Sequence, residues 1–184
     1  MKRSTVLLIV LLALSLAGAC TKQALQTTYD KQSTNIESFI STRMKADSTA
    51  TLVKNGGAFR LNVHDTLGLA DSLDWNGQVC LWYACYTLTS ASISSSNLVA
   101  TNVKSLAKSA GWELSDSTRY HLDTLRLDKQ LVEGLRQGLW GVQAGDEAFI
   151  LFTGELGYGD SERGMIPARS ALVYQVLIES ISNE

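Results

Sequence analysis

The stretch "LVEGLRQGLWGVQAGDEAFILF", residues 131–152, constrains this chain more than any other. Leu131, Leu135 and Leu139 recur at i, i+4 and i+8, the spacing of one helical face, yet glycine stands at 134, 138 and 141. Each glycine inside a helix costs about 1 kcal/mol against alanine. Such a helix makes sense where it must lie very close to a sheet, and "EAFILF" directly after it reads as a strand.

The other periodic segments fit the same architecture. "AFRLNV" alternates Phe59, Leu61 and Val63, and "RYHLDTLRL" alternates again. "QVCLWYACYTL" is apolar on both parities and rich in aromatic and branched residues, as a central strand would be. "TNVKSLAKSAGW" predicts a short helix with a Thr or Asn cap and a stop at Gly111. "ALVYQVLIESI" is a last strand, reached through the glycine-rich loop "GELGYGDSERGMIPARS", which holds the only proline, Pro167. Strands with few helices and no regular βα alternation predict an α+β domain on an antiparallel sheet.

The N-terminus reads differently. Lys2 and Arg3 precede an apolar run from Val6 to Leu14, then Ala17, Gly18 and Ala19 before Cys20. That is an export-signal pattern, and the run is short of the roughly 20 apolar residues a membrane span needs. "LAGAC" is similar to the lipobox of bacterial lipoproteins, although Ala17 stands where leucine is usual. The expected organisation is a signal peptide at 1–19, a tether at 20–32 from lipidated Cys20, a helix and linker at 33–57, and the main domain at 58–184. Within 33–57, Ile36, Phe39, Ile40 and Met44 fall at helical spacing and Thr34 with Glu37 forms a capping box, which predicts an amphipathic helix. Thr21 after the cysteine, rather than Asp, points to the outer membrane more than the inner.

Composition and spacing exclude several chemistries. Lys2 and Arg3 are two of the 16 basic residues, so 14 would face 18 acidic ones after cleavage, a balance unlike a nucleic-acid binder. His64 and His121 lack metal-site spacing, and no nucleophile elbow, P-loop or dinucleotide fingerprint is present. Asp146 and Glu147, adjacent at a turn, read as solvated. Cys80 and Cys85, an odd separation apart on one strand, belong on opposite faces and read as two buried thiols rather than a disulfide. Any catalysis here must proceed without a cofactor, metal, nucleophile or strong base.

Residues 131–181 resemble the C-terminal half of FKBP-type peptidyl-prolyl isomerases: "LVEGLRQGL", "LGYG" and "MIPARSALVY" stand in the family's order at nearly its spacing. The resemblance implies a curved antiparallel sheet with one short helix across it, and isomerisation of X-Pro bonds in exported polypeptide clients. It also implies a pocket. Leu135 would form the floor and Leu131 and Val132 one wall, with the Val132 N–H offered to a substrate carbonyl and the Tyr158 hydroxyl as second donor. Tyr83, Ile166 and Tyr174 would complete the wall, with Met165 on the rim. Each suits ordinary core packing equally well, except Tyr158, whose flanking glycines favour the pocket. The sequence departs from the family where Val99 and Ala100 replace a pocket Phe and Asp, so the pocket would lose its only acid. Ala168 also replaces the second proline after Ile166. Two functions therefore stand side by side: an envelope lipoprotein isomerase, or an FKBP-like binding module or chaperone that serves as a subunit of an outer-membrane assembly.

Overall fold

A computed structural model describes the backbone of residues 2–64, 71–115 and 117–183, with side chains from residue 22 onward except at positions 64 and 117. The chain divides into two units, residues 1–31 and 32–184. Helix α1 spans Lys2–Ala46 without interruption. Residues 21–32, read from sequence as an irregular tether, are therefore helical, and Thr34 lies inside the helix rather than at a cap. "TKQALQTTYDKQ" has no apolar period, but it holds good helix formers and neither glycine nor proline. Thr27 and Thr28 hydroxyls fold back onto the carbonyls of Gln23 and Ala24.

In the larger unit a seven-stranded sheet is built from β1 (Thr51–Asn55), β2 (Ala58–His64), β3 (Gln78–Thr87), β4 (Leu98–Thr101), β5 (Asp123–Arg126), β6 (Glu147–Phe152) and β7 (Leu172–Ser182). The order is β1-β2-β6-β7-β3-β4, with β5 also on β3, and every pairing is antiparallel. Register shifts between Asn62 and His64, Cys80 and Leu81, and Cys85 and Tyr86 mark bulges, which bend and twist strands locally. β3 pairs β7 on one side and β4 and β5 on the other, so its two-sided apolar pattern has the cause inferred from sequence.

Two helices flank the strands. α2 covers Lys104–Ser109 and α3 covers Glu133–Leu139. Val103 occupies the N-cap of α2 without a side-chain cap bond, so neither Thr101 nor Asn102 caps it. Their side chains stitch β4 to β3 instead: the Thr101 hydroxyl donates to the Tyr83 carbonyl, and Asn102 accepts the Tyr83 N–H while donating to the Leu81 carbonyl. Asp146 is also relocated by the structure. It is buried and accepts the Gln143 N–H at 2.8 Å, while Glu147 is exposed.

The sheet carries a core on each face. On one face Leu135 and Leu139 of α3 meet Leu81, Cys85, Ile150, Phe152, Tyr174 and Val176. On the other, Ile36, Phe39 and Ile40 of α1 pack on Leu61, Phe149, Leu151 and Val173. Met44 stays 38% exposed. Cys85 is buried in the first core and Cys80 is only partly buried; both are free thiols.

Candidate active site

Glycine sets the height of α3 above the sheet. A Cβ on Gly134 would stand 2.2 Å from the Phe152 ring, and one on Gly138 would stand 2.1 Å from Ile150 Cγ2. Gly141 acts differently, following the helix at φ 77°, the left-handed conformation that ends helices. The C-terminus of α3 is held from below by Arg60 of β2, whose Nη1 donates to the Gly138 and Trp140 carbonyls at 3.2 and 2.7 Å. A cation on terminal carbonyls also complements the helix dipole. The helix is thereby short, low and fixed at its end.

The loop after β6 is built just as tightly. Gly154 lies against the Arg169 backbone, where a Cβ would stand 2.6 Å from the Arg169 carbonyl carbon. Gln32 bridges the same two residues, accepting the Gly154 N–H at 2.8 Å and donating to the Arg169 carbonyl at 2.6 Å. Arg163 and Ile166 exchange backbone hydrogen bonds, and the Gly134 N–H donates to the Leu156 carbonyl at 2.8 Å, tying the loop to the start of α3. Pro167 sits just beyond Ile166, and β7 begins only at Leu172, so this proline belongs to the loop's turn rather than to the start of the strand.

Between loop, helix and sheet lies a cavity of about 280 Å³. Leu135 lines it from α3, Leu131 and Val132 from the turn before α3, Tyr158 and Ile166 from the loop, and Tyr83 and Tyr174 from the sheet. Seven of the residues that the resemblance implied thus converge on one cleft. Ala100 also lines it, whereas Val99 packs against the neighbouring core and Met165, 59% exposed, stays outside the lining. Leu81, Asp123, Leu125 and Gln130 line the cleft too and were missed from sequence. A signal existed for two of them, since Leu127 of the "DTLRL" alternation is buried and Leu125 and Asp123 share its parity.

The cleft offers donors set among apolar walls. The Val132 N–H precedes the first helical turn, where the helix ladder supplies no acceptor, and among the described residues no turn or loop backbone bond uses it. Tyr83 and Tyr174 lie 6.1 Å apart between ring centres, and Phe152 stacks on Tyr174 at 6.0 Å beneath Gly134. Burial raises the Tyr174 hydroxyl well above the ordinary tyrosine value, and the neighbouring Cys85 and Tyr158 push it the same way. Burial also raises Tyr83. Both phenols therefore remain protonated donors at neutral pH. Among the described residues no cluster of three or more His, Cys, Asp or Glu could hold a metal ion.

A larger groove, about 520 Å³, opens on the opposite face beside Trp82, Leu106 and Leu177. Trp82 and Leu177 alternate with Leu81 and Val176, which places them on the far side of the sheet. Tyr83, Ser105 and Tyr120 bring hydroxyls to it, but none of Leu135, Val132 and Tyr158 lines it, and volume alone does not make a site.

Comparison with known proteins agrees with this fold. Residues 90–179 match the model of the family described as FKBP-type peptidyl-prolyl cis-trans isomerase. The three FKBP domains of wheat FKBP73 superpose with TM-score 0.54 at 13% identity, over 72% of this chain and 50% of that one, so the chain spans half of the wheat protein's resolved length. A peptidyl-prolyl cis-trans isomerase from Pseudomonas syringae pv. tomato gives 0.53 at 14% identity, over 83% of this chain and 96% of that one. FkpA from Escherichia coli gives 0.51 at 18% identity, over 92% and 70%. No curated protein sequence matches significantly. At such identities the structures speak for the fold, and the match over residues 90–179 speaks for the family. Residues 90–179 thus match an FKBP-type peptidyl-prolyl cis-trans isomerase domain, carried on a fold that these solved structures share.

Proposed function

We propose that this protein is an envelope lipoprotein that speeds cis-trans isomerisation of X-Pro bonds in exported polypeptides, with the α3 cleft as its active site. Rotation about a peptide bond faces a barrier of about 18–20 kcal/mol because amide resonance holds it planar. The twisted transition state has lost that resonance and is less polar at carbon and nitrogen. An apolar, water-poor cleft with donors placed for the twisted carbonyl lowers its energy, and no proton has to move. In this reading the prolyl ring rests on Leu135, the carbonyl before it takes the Val132 N–H, and Tyr158 is the second donor.

The observation that carries the reading is the convergence of Leu135, Val132 and Tyr158 on one cleft. Uncatalysed prolyl isomerisation takes tens to hundreds of seconds, slow enough to limit folding, so exported clients would gain from it. The test is the isomerisation rate of Leu-Pro peptides with wild type and Tyr158→Phe. Wild type is expected to exceed the uncatalysed rate, and the variant to lose about tenfold in kcat/KM, roughly one hydrogen bond. A wild-type rate equal to the blank would refute the proposal.

The cellular address follows from the N-terminus. The export signal and "LAGAC" support diacylation of Cys20 and an anchor in the outer membrane, and partnership with an outer-membrane complex would follow from that address. The Cys20 side chain lies outside the described residues. Metabolic labelling with a palmitate analogue is expected to mark wild type and to spare Cys20→Ser.

A further inference from the structure

The acid expected from β4 is missing at Ala100, yet the cleft has a carboxylate from another strand. Asp123 opens β5, and its register partner on β3 is Leu81, two residues before Tyr83. Alternation turns it inward with Leu125, and both line the cleft. Of the lining residues it alone carries a formal charge, with the Arg163 guanidinium 6.0 Å over the Tyr158 ring as a nearby cation. Its charge is felt there: after burial, Asp123 is the next cause that raises the Tyr83 hydroxyl, with Arg119 acting in the opposite sense. Its ion-pair partner is weak, since His121 Nε2 stands 3.5 Å from Oδ1 and the two side chains are 67% and 28% exposed. A substrate cation can compete with such a partner.

We infer that Asp123 is a specificity-determining residue, selecting peptides whose residue before the proline is lysine or arginine. The inference rests on the isomerase reading above, in which that residue's own carbonyl is held at Val132, so its side chain starts inside the cleft. The residue after the proline leads away from the seated ring. A basic side chain reaching along β5 meets an opposite charge in a partly dehydrated setting, where ion pairs are stronger than in bulk water, and an acidic one meets repulsion.

The experiment compares tetrapeptides Ala-Xaa-Pro-Phe with Xaa Lys, Leu or Glu, reading both kcat/KM and the Kd from amide chemical shifts. Wild type is expected to favour Lys over Glu by about five- to tenfold at low salt, with Leu between them, and less at high salt, as screening requires. The Lys/Glu ratio should fall toward one in Asp123→Asn, which keeps the side chain's shape, and invert in Asp123→Lys. A Lys/Glu ratio that is the same in wild type and Asp123→Asn overturns the inference. Leu-Pro binding without turnover would instead overturn the isomerase reading, and equal Kd values for the Lys and Glu peptides would then overturn the role of Asp123 independently.

Discussion

The two faces of the sheet are covered in opposite ways. On one, α1 stands off on long side chains: Phe39 meets Phe149 edge-on at 5.4 Å, Arg43 lies over both rings, and Ile36 and Ile40 fill the rest. On the other, α3 has seven residues and presents Gly134 and Gly138 to Phe152 and Ile150, almost backbone on side chain. Large side chains seal the first interface. A short, low helix leaves part of the second face uncovered, and the loop folds over that remainder to make the cleft. The α1 interface thus supplies stability, whereas the α3 side gives up helix propensity and buried area to leave a cleft.

The largest expected effect tests the sealed face. Phe39→Ala removes a fully buried ring and should cost about 3–5 kcal/mol, seen as a drop in the denaturant midpoint. Folded molecules should retain wild-type isomerisation kinetics, because Phe39 does not line the cleft. A matching fall in kcat/KM would show the two faces to be coupled. Gly138→Ala should cost less, roughly 1–3 kcal/mol of overpacking against Ile150. It should nevertheless impair catalysis, since lifting α3 shifts Leu135 and Val132. A variant more stable than wild type, as helix propensity alone would give, would mean that close approach is not the glycine's role.

The smallest effect concerns the two thiols. Burial pushes Cys85 up to about 12, while an unfolded thiol ionises near about 8.5. Below that range the group is protonated in both states and leaves stability unchanged. Between there and about 12 the unfolded chain releases its proton while the folded one retains it, so this group lowers stability as pH rises. In the native protein at pH 8 a thiol reagent should therefore label Cys80, and label Cys85 only at the rate of unfolding.

Much of this was legible in the sequence because it rested on local pattern. The glycines of α3 announced close packing, the alternation of β2 announced its buried face, and "LGYG" with "MIPARSALVY" announced the loop that brings Tyr158 and Ile166 to the cleft. What escaped depended on how the fold places each residue rather than on its own pattern. Thr101 and Asn102 look like caps until β3 offers them backbone groups. Asp146 looks solvated until the Gln143 N–H is placed against it. Pro167 reads only as part of a glycine-rich loop until the backbone bonds between Arg163 and Ile166 define the turn before it. Helix at 21–32 was hidden by a missing apolar period, although the absence of breakers pointed to it. The inward parity of Asp123 is written in the alternation of β5, but only the pairing of β5 with β3 shows that this parity faces the cleft.

The central claim is that proline binds at the α3 cleft and not in the larger groove on the far face. Backbone amide chemical shifts recorded during titration with an Ala-Leu-Pro-Phe peptide test it directly. The account predicts saturable shifts at Val132, Leu135 and Tyr158, with Trp82, Leu106 and Leu177 unmoved. Shifts centred on Trp82, Leu106 and Leu177, with Val132 and Tyr158 unmoved, would contradict it.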